Sequence, residues 1–341
     1  MNTRGSATVA DLGERRIIAD ILARLPPAPA WLQVGPGDDA AVAAPERGAL
    51  DVLTTDALVE GVHFDRRFSA PRDIGWKALA VNLSDIAAMG AAPRLALLSL
   101  ALPRGFASMD LDGLIEGFLD LARAHHVTLA GGNITESPGP LMVDVTVSGS
   151  VRPRRVLRRA GARPGDALYV SGDPGSAAAG LGWLRKAASP SNLPDDADLG
   201  RCVERYRRPE PRTRLGALLG RNRAANACMD LSDGLADAIT QISAASGTGA
   251  LIDAGAIPVG AGARRWFEEA GLDPISAALS GGDDYELLFA VPRRGRGRLE
   301  TVRRQARGIV LTRIGEITKE PGVQLQRNHS VEPLPGGFAH F

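Results

Sequence analysis

Strand-like and helix-like runs alternate along almost the whole chain, and that alternation limits the fold more than any single motif does. In the first half "LDVLTTDAL" reads as a strand ending in polar residues, and a loop, "VEGVHFDRRFSAP", follows it. Residues 73–89, "DIGWKALAVNLSDIAAM", have helical character and are apolar nearly all round, with Gly90 as C-terminal cap and Pro93 just beyond; such a helix is buried. "RLALLSLALP" is then a strand, "MDLDGLIEGFLDLARAHH" an amphipathic helix, and "VTLAGGN" and "PLMVDVTVSGSV" are strands. The second half repeats the alternation: "ALYVSG", "NACMD", "ALID", "YELLFAV", "VLTRIGEIT" and "VQLQR" are strands, separated by helical "SAAAGLGWLRKA", "SDGLADAITQIS" and "RLETVRRQ". Residues 9–25 have helical periodicity, and "SPSNLPDDAD" reads as a surface loop. This pattern argues for α/β or α+β layers rather than a helical bundle or a β-sandwich. The stretch 152–166, "RPRRVLRRAGARPGD", is charged and rich in turn residues. It divides the 341 residues into two domains, 1–151 and 152–341, each long enough to bury its own core.

Composition narrows the function mainly by exclusion. Forty basic residues against thirty-nine acidic give a net charge of +1, so no general basic field exists to recruit nucleic acid or a membrane surface. The basic residues are almost all arginine; lysine stands only at Lys77, Lys186 and Lys319, so a lysine kept at position 77 is the louder signal. Two cysteines, Cys202 and Cys228, have no metal-like spacing, which fits a reducing cytoplasm. No apolar run approaches the roughly 20 residues that span a bilayer, and "MNTRGSATVADLGERR" lacks the apolar core of a signal peptide. A cytoplasmic protein is the expectation.

Acids carry the chemical signal. Asp38 and Asp39 in "GPGDD", Asp56 in "TTDAL", Asp85 in "VNLSDIAAMG", Asp230 and Asp233 in "MDLSDGL", and Asp283 and Asp284 in "SGGDDYELLF" all stand at strand ends or glycine turns beside small residues. Each has a plain structural explanation when read alone. "GPGDD" is equally a tight turn closed by Asp hydrogen bonds, and only loosely the start of a dinucleotide fingerprint, since acids would face a pyrophosphate. Ser232 suits a helix N-cap and Asp233 the first turn. "SGGDDYELLF" suits a hairpin turn, and Asp85 a buried ion pair. Asp85 is the hardest to dismiss, because an ionised carboxylate on an apolar helix costs several kcal/mol unless it is paired or metal-bound.

Together the acids point further than they do singly. Carboxylates at strand ends without cysteine or histidine clusters are what a hard cation such as Mg²⁺ requires, because it takes oxygen ligands and shares them with substrate phosphates. Glycine turns beside them offer backbone N–H groups to those phosphates. No G-x-x-x-x-G-K-[ST] sequence occurs. Metal-dependent phosphoryl transfer without a Walker lysine is the reading that the residues support.

"GPGDDAAV", "TTDALVEGVHF", "KALAVNLSDIAAMGAAP", "MDLSDGLADA" and "SGGDDYELLF", in this order, resemble the thiamine-monophosphate kinase family, of the superfamily that includes aminoimidazole ribonucleotide synthetase and selenophosphate synthetase. The resemblance implies ATP-dependent phosphorylation of thiamine phosphate to thiamine diphosphate with several Mg²⁺ ions. It implies an N-terminal α/β domain whose sheet dimerises into a β-barrel, giving a homodimer, and a C-terminal α/β domain that completes the active site. Carried over by position, Asp39, Thr54, Thr55, Asp56, Asp85, Asn133, Asp230 and Asp233 would be metal ligands. Gly132, Asn133, Arg159 and Ser232 would contact ATP, and His63, Asp283 and Phe338 would contact thiamine phosphate. Asp39, Asp56, Asp85 and Asp230 would carry the catalysis.

Chemistry supports the assignment at one point. A phosphate monoester has a second pKa near 6, so the acceptor is ionised at neutral pH and no general base is needed. A site rich in Asp and poor in His is what that predicts, with His63 a substrate contact and not a base. Two departures from the family pattern stand out. "AGGNIT" has Asn133 where the family commonly has aspartate, and "GGDDYE" has Asp283 where it usually has glutamate. They keep open a catalytically weak Mg²⁺–nucleotide-binding homologue. A synthetase of the same superfamily is the other alternative, disfavoured because no N-terminal cysteine with a glycine-rich loop is present.

Overall fold

The computed structural model describes residues 7–187, 193–328 and 330–336. The chain forms two compact units: residues 1–83 with 93–152, and residues 84–92 with 153–341. Both are α/β.

In the first unit two short helices, α1 (Val9–Leu12) and α2 (Glu14–Leu22), replace the single helix expected over 9–25. Gly13, at φ +74°, ends one and starts the other, because that backbone region suits glycine and leaves the α-helix. Strands β1 (Leu32–Val34) and β2 (Val42–Ala43) pair antiparallel. Next come β3 (Leu50–Val59), α3 (Pro71–Ala88), β4 (Ala92–Pro103), α4 (Ser108–Ala124), β5 (Thr128–Ser137) and β6 (Met142–Val151). The sheet runs β3-β6-β4-β5, so β3 and β5 are its edges.

One face of this sheet is covered and the other is open. On β6, Val143, Val145 and Val147 are buried, and on β4 so are Leu98, Leu100 and Leu102; the intervening residues point the other way. That open side carries Leu53 at 72% exposure, Leu97 at 37% and Met142 at 39%. Helices α3 and α4 touch backbone to backbone, since a Cβ at Gly75 would lie 1.9 Å from the Leu114 carbonyl oxygen. The apolar run of α3 is buried as expected. From Asp73 to Ala88 only Trp76 and Asp85 keep partial exposure. Its end is a Schellman cap: Gly90 N–H donates to Ala87 O at 2.9 Å and Ala91 N–H to Ile86 O at 3.0 Å.

The second unit is a seven-stranded mixed sheet between helices. Its strands are β7 (Ala167–Ser171), β8 (Ala227–Asp230), β9 (Gly249–Asp253), β10 (Leu287–Val291), β11 (Leu311–Thr318), β12 (Gly322–Arg327) and β13 (Ser330–Pro333), in the order β13-β12-β9-β11-β7-β10-β8. Only β9 and β12 run parallel among the registered pairs. The helices are α5 (Ser176–Lys186), α6 (Ala197–Arg207), α7 (Thr213–Asn222), α8 (Leu235–Ser246), α9 (Ala261–Glu269), α10 (Pro274–Ser280) and α11 (Arg296–Gln305).

Strand alternation divides the core. Leu288 and Ala290 of β10 join Ile239 and Ile242 of α8 in one cluster, while Leu287, Phe289 and Val291 join Leu215 and Leu219 of α7 and Leu299 of α11 in the other. Helices α6, α7, α9 and α10 lie where the sequence pattern gave no helix. Two of them carry a readable start signal all the same: Asp196 caps α6 through the N–H groups of Asp198 and Leu199, and Asp273 caps α10 through Ser276.

Candidate active site

Within the first unit, the glycine turn "GPGDD" links β1 to β2. Gly37, at φ +116°, lets the chain reverse, and the Asp38 carboxylate accepts the Asp39 N–H at 2.8 Å. Asp38 therefore steadies the turn, and Asp39 stands exposed at its exit.

Alternation along β3 separates its polar residues. Thr54 and Asp56 share the face that also holds the buried Leu58. Thr55 points from the opposite, open face, with its hydroxyl 3.0 Å from that of Thr146 and donating to Val145 O at 3.3 Å. Thr55 and Asp56 therefore stand on opposite faces of β3.

Gly132 and Asn133 lie on β5, at the other edge. A Cβ at Gly132 would fall 1.9 Å from Leu98 O, so only glycine fits between these strands. Asn133 pairs in register with Ser99 on the open face. Three strand spacings, about 14 Å, separate β3 from β5 along the sheet. His63 belongs to a compact loop after β3: its N–H donates to Val59 O at 2.9 Å, and its Nδ1 accepts the Val59 N–H at 3.1 Å.

Within the second unit, Asp230 ends β8 with only 3% exposure. Its carboxylate accepts the Ser84 hydroxyl at 2.7 Å. Ser84 is fully buried near the end of α3, and its neighbour is Asp85. Ser84 was not among the residues singled out from the sequence, although a serine directly before an aspartate on an apolar helix was a readable signal. Asn82, one turn before Asp85 on that helix, is fully buried; its amide nitrogen donates to Ala78 O, and its Oδ1 has no hydrogen-bond partner among the described residues.

The segment after β8 runs antiparallel to the one before β10. Asp283 N–H donates to Ser232 O at 2.8 Å, Tyr285 N–H to Leu231 O at 2.9 Å, and Leu231 N–H to Glu286 O at 2.9 Å. These bonds gather Asp230, Ser232, Asp233 and Asp283 into one region. Ser232 is not an N-cap: α8 begins at Leu235, behind Gly234 at φ +102°, and no side chain caps it. A glycine is required there because a Cβ would sit 2.9 Å from Gly281 O. Arg159 reaches the same helix, donating to Gln241, whose amide donates in turn to Asp237.

The loop that carries Asp283 is held under strain. Asp283 at φ +68° and Tyr285 at φ +51° both occupy the left-handed region, and the tyrosine hydroxyl donates to Asp283 at 2.9 Å. Between them Asp284 is buried and accepts the N–H groups of Gly175 at 2.6 Å and Ala177 at 3.0 Å. Burial pushes its carboxyl up to about 7 against the pull of those two bonds. Burial also works to raise Glu286, but hydrogen bonds and charge from Arg212, with Arg205 and Ser171, hold it below the usual range. Asp284 and Glu286 thus anchor the loop on either side of Tyr285. Phe338 lies outside the described residues.

Every side chain in these two sets offers oxygen or neutral nitrogen, apart from Arg159. Among the described residues, no three of His, Cys, Asp or Glu come together as a metal-holding group. Mg²⁺ needs no such cage, since it binds through one or two carboxylates, water and substrate phosphate. The buried, unpartnered Oδ1 of Asn82 near Asp85 is a neutral oxygen that a cation or its water would satisfy, so the donor set fits Mg²⁺.

Residues 37–151 match the family model "AIR synthase related protein, N-terminal domain", and residues 163–328 match "AIR synthase related protein, C-terminal domain". The thiamine-monophosphate kinase of Escherichia coli (strain K12) is 38% identical over 312 residues, covering 90% of this chain and 91% of the relative. The crystal structure of thiamine-monophosphate kinase from Stenotrophomonas maltophilia superposes with a TM-score of 0.79 at 38% identity, covering 91% of this chain and 94% of its own. "AaThiL complexed with AMPPCP and TMP" gives a TM-score of 0.76 at 30% identity, covering 99% and 100%.

Proposed function

This chain belongs to the thiamine-monophosphate kinase family, and from that premise we propose that it transfers the γ-phosphoryl group of ATP directly onto thiamine phosphate, releasing thiamine diphosphate and ADP. The observation that carries the reading is the buried Asp230, held by Ser84 beside Asp85, in the region where Ser232, Asp233 and Asp283 gather.

The acceptor oxygen arrives ionised, so the protein has no proton to remove. Its task is alignment and control of charge, because phosphoryl transfer offers little covalent work to side chains. Asp39, Thr54, Thr55, Asp56, Asp85, Asp230 and Asp233 would hold Mg²⁺, with Asn133 as a neutral oxygen donor. Mg²⁺, when bound, neutralises charge on the ATP phosphates and on the transferring group. Gly132, Arg159 and Ser232 contact ATP. Asp283 and His63, with Phe338, contact thiamine phosphate. The positive-φ backbone at Asp283 fixes where its short carboxylate points, and the bond from Tyr285 removes its rotational freedom.

The residues divide between a nucleotide- and metal-binding N-terminal domain, 1–151, and a C-terminal domain, 152–341, that completes the reaction machinery. We infer a homodimer formed through the open sheet face of the first unit. Its edge strands β3 and β5 have 10 residues each, and the exposed Leu53, Leu97 and Met142 lie on that face. A second copy that closes the sheet into a barrel would also relieve both edges. Among the described residues no helix is long and apolar enough to cross a membrane. Both cysteines are free and buried, which fits a reducing, cytoplasmic setting.

The test is acceptor choice. With ATP and Mg²⁺, thiamine phosphate should release ADP and yield thiamine diphosphate, while unphosphorylated thiamine should yield no product. ADP release that is indifferent to thiamine phosphate would point to a synthetase of the superfamily, and no turnover to a binding homologue.

A further inference from the structure

Lys77 is one of three lysines in a chain with 40 basic residues, and it lies inside α3 with only 3% exposure. A buried ammonium costs several kcal/mol unless it finds hydrogen bonds. Its Nζ donates to the backbone carbonyl of His63 at 3.3 Å. Asp73, one turn earlier on the helix and itself 7% exposed, shares its side.

His63 is thereby held at three points. Lys77 fixes its carbonyl, Val59 O accepts its N–H, and Val59 N–H donates to its ring Nδ1. A nitrogen that accepts a hydrogen bond carries no proton, so the neutral imidazole carries its proton on Nε2. The ring is oriented as a donor and not as a base, which suits an anionic partner such as a phosphate monoester.

We propose that Lys77 is a positioning residue for substrate recognition: by holding the His63 carbonyl it fixes the loop after β3 so that the imidazole presents Nε2–H to the phosphate of thiamine phosphate. This rests on the reading of His63 as a substrate contact. The loop is tight enough for the effect to travel. Besides the bonds at His63, Gly61 N–H donates to Phe64 O at 2.8 Å and Glu60 N–H to Leu141 O at 3.0 Å, and Phe64 is buried. Losing the Lys77 anchor would tilt the ring without unfolding the loop, and a misplacement of about 1 Å costs up to roughly a hundredfold in rate.

Three measurements on the full-length protein test this and separate its failure from that of the underlying reading. His63→Asn should raise KM for thiamine phosphate at least tenfold; an unchanged KM would remove His63 from the substrate site, whatever Lys77 does. In the unaltered protein, ¹⁵N spectra of the five histidines, with His63 identified by its loss in that variant, should show an acceptor Nδ1 and a protonated Nε2. A protonated Nδ1 would overturn the proposal. Lys77→Met should raise KM for thiamine phosphate roughly tenfold with KM for ATP within about twofold, and Lys77→Gln, which keeps a donor, should recover most of the loss. Equal changes in both KM values, or a fall in thermal stability with unchanged kinetics in the Gln variant, would reduce Lys77 to a core contact.

Discussion

Asp85 is the residue on which sequence and structure bear most sharply. Its helix is apolar and buried, yet Asp85 keeps partial exposure beside the Ser84 that holds Asp230. Asp85→Asn should lower kcat by roughly a hundredfold to a thousandfold, in line with loss of one electrostatic partner, while the circular dichroism spectrum and melting temperature stay near the parent values. Near-normal turnover would reassign Asp85 to structure. Asn133→Asp adds a charged oxygen where the family commonly has one, and the Mg²⁺ concentration for half-maximal rate should fall severalfold; an unchanged or higher requirement would show that position 133 does not limit metal binding. The acids drew attention in the sequence because they stand among small and apolar residues; the structure puts Asp230 at the end of β8 and Asp39 at the exit of a glycine turn, but Asp56 inside β3 and Asp85 inside α3. Their holders were not legible. Ser84 reaches Asp230 across 146 positions of sequence, and no local pattern announces such a bond.

Elements were legible in proportion to how strictly their periodicity was kept. The continuous apolar run predicts α3, and alternation predicts which face of β3 each residue takes, Thr54 and Asp56 on one side and Thr55 on the other. Capping was misread at α8, because Ser232 and Asp233 match an N-cap signature while tertiary pairing with residues 281–286 delays the helix to Leu235. The paired segment also stores strain that sequence cannot show, since Asp283 and Tyr285 are non-glycine residues with positive φ. Asp284 pins it, and its carboxyl is raised from 3.8 to about 7 by burial. A carboxyl with a higher pKa in the folded state contributes stability that is full below its unfolded value and is lost as pH rises through about 7. Asparagine does not titrate. The thermal-stability advantage of the parent over Asp284→Asn should therefore shrink between about pH 5 and pH 8, by on the order of 2 kcal/mol. An advantage that grows over this range would show that the carboxylate form is the one the native loop prefers.

For the whole molecule, strand–helix alternation was enough to class both units as α/β. What alternation cannot show is which sheet face stays open, because that depends on where α3 and α4 pack. The open face of the β3-β6-β4-β5 sheet, with Leu53 at its most exposed, is where the homodimer is expected. Leu53→Arg should convert a dimer into monomers in sedimentation experiments, with loss of activity if pairing of the copies helps to build the metal site; a dimer that survives would place the interface elsewhere. The central claim is phosphoryl transfer from ATP to a phosphate acceptor, and one labelling experiment meets it directly. With ATP carrying ³²P at the γ-position, Mg²⁺ and thiamine phosphate, the label should appear in thiamine diphosphate in one-to-one proportion with ADP, whereas label found only in inorganic phosphate across a wide range of Mg²⁺ would contradict the account.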